Sequence, residues 1–186
     1  MRIAITGAHG VGKSTLAAQL SMELGLSELP TPGRTLAAQG LPVNTAATVP
    51  SQVVAWLLQY RLEREHSRWV ASRSLIDVWA YTALAADRGG LDKVEQALVH
   101  ELALATPLAI AGTYDELVYV PPRIPLVADS VRADDVVFQR STDEAIQRAL
   151  DGWGTPHTRL DVTDSEAVDL LVSRLRAQAA GELPVS

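Results

Sequence analysis

The chain has 186 residues, of which 47% are hydrophobic, enough to bury the core of one domain. Its net charge of −6 disfavours nucleic acid as a partner, and the absence of cysteine excludes disulfides and thiolate metal sites. The first strand begins directly after Met1, and no apolar run is long enough to span a bilayer, so we expect a cytoplasmic protein without a signal peptide or membrane contact.

A short apolar strand over residues 3–5 opens the chain and leads into a glycine-rich turn and a helix. The turn, GAHGVGKS over residues 7–14, fits the Walker A pattern, with a strand before it and a helix after it. Glycines let the backbone N–H groups of such a loop converge on phosphate oxygens at the N-terminus of the helix. The sequence therefore predicts a nucleoside triphosphate site.

The residue types in this loop predict individual contacts. Lys13 is one of only two lysines in the chain, and we expect it to neutralise the β- and γ-phosphates of ATP. The Ser14 hydroxyl is expected to bind Mg²⁺, Thr15 either bonds a phosphate or caps the helix, and His9 is interpreted as loop surface. The predicted cofactor-binding residues are Gly7, His9, Gly10, Val11, Gly12, Lys13, Ser14 and Thr15.

Helices and strands alternate along the rest of the chain. Helices are predicted at 13–25, from 31 to a stop at Gly40, and at 50–67, 72–90, 91–106, 142–151 and 164–180, with 107–112 extending or breaking the fifth. Strands are predicted at 26–29, 68–71, 115–122 and 158–162. This alternation predicts an α/β P-loop NTPase sandwich of three layers, with a mainly five-stranded parallel sheet, as one domain over residues 1–186.

Two arginines lie just beyond the carboxyl ends of predicted strands, where ligands bind to open parallel sheets. Arg34 and Arg73 are therefore candidates for binding an acceptor, and the alternative for each is a surface arginine or a partner for a carboxylate. We assign residues 31–60 to the acceptor side. Within this segment Trp56 and Tyr60 either pack in the core or stack on an acceptor base.

Three further stretches carry a family resemblance: ELPTPGRTLAAQG, WVASRSLIDVWAYTALA and ELVYVPPRIPLVADSVRADDVVFQRSTDEAIQRAL. Together they resemble the small P-loop kinases related to the kinase domain that phosphorylates nicotinamide riboside. They also place the chain near deoxynucleoside and nucleoside monophosphate kinases. The resemblance covers residues 2–160 and implies an ATP-dependent kinase with the P-loop fold.

The chain departs from this family at two positions where carboxylates are usual. Ser72 stands where the family usually has an aspartate before the arginine, and Thr31 stands where it has an acid near the second strand's end. In such kinases these carboxylates hold Mg²⁺ through water or accept the proton of the acceptor hydroxyl. Asp77 matches the aspartate of the family's helix motif, and we expect it to take this role. Its alternative is to cap the helix or pair with an arginine.

The segment 123–140 is rich in arginine and aspartate, lacks clean periodicity and is predicted to be a loop or lid. The resemblance implies that Arg132 closes over the phosphates and screens transition-state charge, and the alternative is a solvated charged loop. The predicted catalytic residues are Lys13, Arg73, Asp77 and Arg132.

These signals predict a kinase that uses ATP and Mg²⁺ to phosphorylate a hydroxyl or phosphate of a nucleoside, nucleotide or related small molecule. Two alternatives stay open. One is a kinase acting on a nucleic-acid hydroxyl, at a polynucleotide end or a modified base. The other is a nucleotide-binding regulator or slow NTPase, which the two missing acids favour. Homo-oligomer formation is compatible with each of these functions.

Overall fold

The computed structural model describes residues 1–124 and 136–181. The strands are β1 Arg2–Thr6, β2 Ser27–Leu29, β3 Trp69–Ala71, β4 Glu116–Tyr119 and β5 Thr158–Arg159. The helices are α1 Lys13–Leu24, α2 Pro32–Ala38, α3 Val49–Glu65, α4 Leu75–Asp87, α5 Lys93–Ile110, α6 Val136–Gly152 and α7 Ser165–Ala179, with a 3-10 turn at Asn44–Ala46.

The five strands form one parallel sheet in the order β2-β3-β1-β4-β5. Because β1 is central, the loop that follows it leaves the carboxyl edge of the sheet between β3 and β4. The predicted α/β sandwich with a five-stranded parallel sheet is therefore confirmed, and the phosphate loop lies where such sheets bind ligands.

Apolar clusters cover both faces of the sheet. Side chains alternate along a strand, so Ile3 and Ile5 pack with α1 and α7, while Ala4 packs with the helices of the other face. Burial on both faces explains the nearly continuous apolar runs of the central strands. Among the described residues, no helix has the length and apolar character needed to cross a membrane.

The start of α6 is shifted by six residues from its prediction, and α5 takes the extension that was left open for residues 107–112. Helix α6 begins at Val136, so residues 136–140 of the predicted lid are helical, while 125–135 lie outside the described residues. The buried face of α6 includes polar residues, which interrupt the apolar periodicity that indicates a helix in a sequence. Helix α5 continues through Pro107 to Ile110, because the Ala111 N–H donates to the Pro107 carbonyl and continues the turn.

Candidate functional site

The phosphate loop joins β1 to α1, and its path requires glycine. Gly7, Gly10 and Gly12 have φ angles of 151°, 76° and 93°, which side chains of L-residues rarely adopt. A Cβ at Gly7 would lie 2.4 Å from the Val120 carbonyl oxygen, so the loop also passes too close to the end of β4 for a side chain. Val11 is 1% exposed, so its side chain packs in the core and only its backbone is offered to a ligand.

Lys13, the first residue of α1, folds its side chain back over the loop. Its Nζ donates to the Gly7 carbonyl at 2.5 Å and to the Ala8 carbonyl. Ser14 and Thr15 follow it and are exposed, and no side chain caps this end of α1. An uncapped helix N-terminus and two exposed residues with hydroxyl side chains thus lie beside a lysine, an arrangement that fits an anion and a hard cation.

His9 is buried, and the prediction that it lies at the loop surface was wrong. Its side chain is 3% exposed and stacks on Phe138 near the start of α6, with ring centroids 5.6 Å apart. Gln139 also donates its side-chain amide to the His9 carbonyl at 2.8 Å. Helix α6 therefore packs directly on the phosphate loop.

The turn between β3 and α4 reaches the same loop from the other side. One oxygen of Asp77 accepts from the Gly7 N–H at 3.3 Å and from Arg73 Nη1 at 3.1 Å. Arg73 Nη1 also lies 3.4 Å from the Gly7 carbonyl oxygen. Its guanidinium carbon lies 5.4 Å from the centroid of the Tyr81 ring, and the side chain is 22% exposed. Arg73 is thus anchored beside the loop with part of its guanidinium available.

The other oxygen of Asp77 caps α4. It accepts from the Ser74 N–H at 2.9 Å and from the Ser74 hydroxyl at 2.8 Å. With four donors and no exposed surface, this carboxylate has no lone pair left for a substrate. These contacts match the alternative predicted for Asp77, a cap that pairs with an arginine.

The other acceptor-side candidates are not gathered at one point. Arg34 is exposed in the first turn of α2 and forms no ion pair with any described residue. Trp56 stacks on Tyr60 with centroids 5.1 Å apart and donates from its indole to Thr106 at 3.0 Å. Trp56 and Tyr60 thus serve packing rather than an open base site, and Arg132 lies outside the described residues.

A buried polar network behind the β3–α4 turn was missed by sequence reasoning. Gln59 Nε2 donates to the Arg73 carbonyl at 3.2 Å and to Glu63 at 2.7 Å. The Tyr114 hydroxyl donates to Glu63 at 3.1 Å and accepts from the Leu75 N–H at 3.2 Å. Burial raises the pKa of Glu63 to about 8, although both hydrogen bonds oppose this shift. In the sequence Gln59 and Glu63 are only polar interruptions of the amphipathic helix α3.

Residues 2–167 match a family model described as AAA domain. Among solved structures, the NadR protein in complex with NAD and AMP-PNP superposes with a TM-score of 0.70 at 14% identity, over 100% of this chain and 50% of that chain. Deoxyadenosine kinase from M. mycoides gives 0.62 at 14% identity, over 96% and 100%. Shikimate kinase from Aquifex aeolicus gives 0.53 at 17% identity, over 97% and 99%. The comparison with curated protein sequences found no match.

Proposed function

We propose that the chain, which belongs to the AAA domain family, is a kinase transferring the γ-phosphoryl group of ATP to a nucleoside, a nucleotide or a related small molecule. The site is built from the phosphate loop on the donor side and the β3–α4 turn on the acceptor side. We further propose one domain over residues 1–186, with residues 31–60 on the acceptor side. A cytoplasmic location rests on the lack of cysteine.

The observation that carries this proposal is the contact of Arg73 and Asp77 with Gly7. For binding a nucleotide alone, the phosphate loop would suffice. Here a second element fixes a guanidinium beside that loop and leaves its side chain 22% exposed. An arginine so placed would hold an anionic group next to the terminal phosphate, and positioning is the main task in phosphoryl transfer.

On the donor side, Lys13 would pair with the β- and γ-phosphates, and the loop N–H groups and Thr15 would bind their oxygens. The exposed Ser14 hydroxyl suits a Mg²⁺ ion, which when bound with ATP neutralises charge on the phosphates. Arg132 remains our prediction for the lid arginine. The similar solved structures support the kinase fold. They do not indicate one particular acceptor, since one is a deoxyadenosine kinase and another a shikimate kinase.

The slow NTPase or regulator is the second candidate, because Ser72, 4% exposed, supplies no charge at the tip of β3. A kinase differs from a slow NTPase or regulator in that it transfers the phosphoryl group to an acceptor other than water. A transfer assay with labelled ATP and panels of nucleosides, nucleotides and oligonucleotides makes this measurement. Labelled product beyond inorganic phosphate is expected, and release of phosphate alone would contradict the kinase.

The donor site is tested by Lys13→Ala. Because Lys13 supplies the positive charge within the loop, the variant is expected to lose at least about 100-fold in turnover with ATP. Lys93→Ala, at the exposed start of α5, is the matched control and should behave as wild type. Calorimetric titration with ATP and a transfer assay measure both. Unchanged ATP binding and turnover in Lys13→Ala would overturn the proposal.

A further inference from the structure

The tip of β3 offers no carboxylate to a substrate. Ser72 occupies this tip, and the Asp77 carboxylate beside it is fully used by four donors. A neutral hydroxyl acceptor must lose a proton during transfer, and a positioned carboxylate is the usual group to take it. Neither residue can fill that role.

Three further acids lie on β2 and α3, the elements that flank this tip, and one of them, Glu65, stands at the end of α3 that leads into the start of β3, away from its tip. Glu28 in β2 precedes Leu29, and since Leu29 packs with the helices of the acceptor side, Glu28 points to the opposite face of the sheet. Glu63 in α3 is 3% exposed and engaged by Gln59 and Tyr114. None of these three acids is therefore presented to an acceptor at the tip of β3.

Positive charge is presented instead. Arg73 is held beside the loop with its side chain 22% exposed, and Arg34 is exposed just beyond the neighbouring strand β2. Arginine pairs well with phosphate, because its planar fork donates two parallel hydrogen bonds. The charge beside the loop therefore favours an anionic acceptor.

We propose that the acceptor is a phosphate monoester, a nucleoside monophosphate within the proposed function on which this inference rests, and not a neutral hydroxyl. The second pKa of such a phosphate is about 6, so its oxygen is already ionised near pH 7. A lone pair on that oxygen forms the new P–O bond to the γ-phosphorus, and the bond to the β,γ-bridging oxygen breaks and leaves its electron pair on ADP. The products are ADP and a nucleoside diphosphate, and no proton has to be removed.

The test compares nucleosides with their own 5′-monophosphates as matched pairs under saturating ATP and Mg²⁺. The nucleoside lacks the anion, and the tip of β3 offers no general base for its hydroxyl proton. We therefore expect kcat/KM about 100-fold higher for the monophosphate of the best pair. Equal or better use of the nucleoside would overturn this inference and leave the kinase in place. ADP formation without transfer to either class would overturn the kinase as well.

One charged and one neutral substitution at position 72 test whether the lack of a carboxylate there causes the preference for the monophosphate. Ser72→Asp places a carboxylate beside Arg73, so kcat/KM for the monophosphate should fall about tenfold or more while that for the nucleoside rises. Ser72→Asn adds similar bulk without charge and should keep the preference for the monophosphate. ATP affinity and thermal unfolding confirm that each variant is folded. If both variants shift the preference alike, charge at this position is not the cause, and if Ser72→Asp does not fold, the matched pairs on the wild-type protein decide.

Discussion

Asp77 joins three parts of the molecule through one carboxylate: the first glycine of the phosphate loop, Arg73 and the first turn of α4. A negative charge at the N-terminus of a helix is favourable, and pairing with Arg73 offsets the cost of burying it. Since Gly7 both donates to Asp77 and faces Arg73, the shape of the loop depends on this ion pair. Asp77 is therefore a positioning residue.

Asp77→Asn should lower both stability and ATP affinity. The amide offers one acceptor oxygen and turns two donors toward the N–H groups of Gly7 or Ser74, and it leaves Arg73 without its buried partner. We expect a loss of about 2–4 kcal/mol in the free energy of unfolding, together with weaker ATP binding.

Denaturant unfolding and ATP titration measure both effects of this substitution. The control, Asp87→Asn, changes an exposed aspartate at the other end of α4 and should be neutral. If Asp77→Asn kept wild-type stability and ATP affinity but lost turnover, Asp77 would act as a proton acceptor after all.

The sequence predicted those parts of the site whose contacts are close together along the chain, and it missed those whose contacts are far apart. Lys13 reaches back only five and six residues to Ala8 and Gly7, so a local motif contains the whole interaction. The contact of Gln139 with His9 spans 130 residues, and no local pattern marks either of them. The saturation of Asp77 was likewise hidden, because the contact with Gly7 spans 70 residues.

At the scale of elements, α3 supports the β3–α4 turn through its polar face. Gln59 bonds the carbonyl of Arg73, and Glu63 bonds Tyr114, whose oxygen holds the N–H of Leu75. The charged groups that act on Glu63 are Arg64 of the same helix and Asp77 of α4, the first lowering and the second raising its pKa. Burial dominates, so Glu63 stays protonated near pH 7.

Glu63→Gln should stabilise the protein in a pH-dependent way. The folded pKa of about 8 lies above the ordinary 4.5, so stability is lost as pH rises from 4.5 to about 8, where only the unfolded chain ionises readily. Glutamine does not ionise in this range, so the advantage of the variant over wild type should grow by up to about 1 kcal/mol for each pH unit in that window.

Chemical unfolding of both proteins across this pH range measures the effect. Glu65→Gln, at an exposed position of the same helix, serves as the control and should show no such trend. A difference between wild type and Glu63→Gln that did not vary with pH would contradict a neutral, buried Glu63.

The boundaries of a helix were predictable where the apolar periodicity and the capping residues indicated the same end. Helix α1 ends at Gly25, whose φ of 61° is the left-handed cap that the glycine indicated. Helix α6 was predicted six residues too late, because Val136 and Val137 are exposed and its buried face is partly polar. That polar face packs against the phosphate loop and β4, through Gln139 to His9 and Asp143 to Tyr119 at 2.8 Å.

At the scale of the whole molecule, the phosphate loop contacts segments from both halves of the chain. Gly7 meets Asp77 on one side and passes under Val120 on the other, while Gly12 lies against Val162 and Ile124. The sheet order brings these segments together because β1 is flanked by β3 and β4. A ligand on the loop is therefore held by most of the fold, and its binding free energy adds to the stability of the whole domain.

Ligands should accordingly raise the thermal midpoint of unfolding, and two ligands at separate sites should do so additively. A non-hydrolysable ATP analogue at 100 times its Kd adds about 2.7 kcal/mol, which for a domain of this size shifts the midpoint by roughly 5–10 °C. A nucleoside monophosphate bound at Arg73 should add a further shift in the presence of the analogue, and the matching nucleoside should add little. Differential scanning fluorimetry of the protein with the monophosphate or the nucleoside, each with and without the analogue, measures these shifts. If the monophosphate shift disappeared once the analogue was present, both ligands would share the phosphate loop, and Arg73 would not form a separate acceptor site.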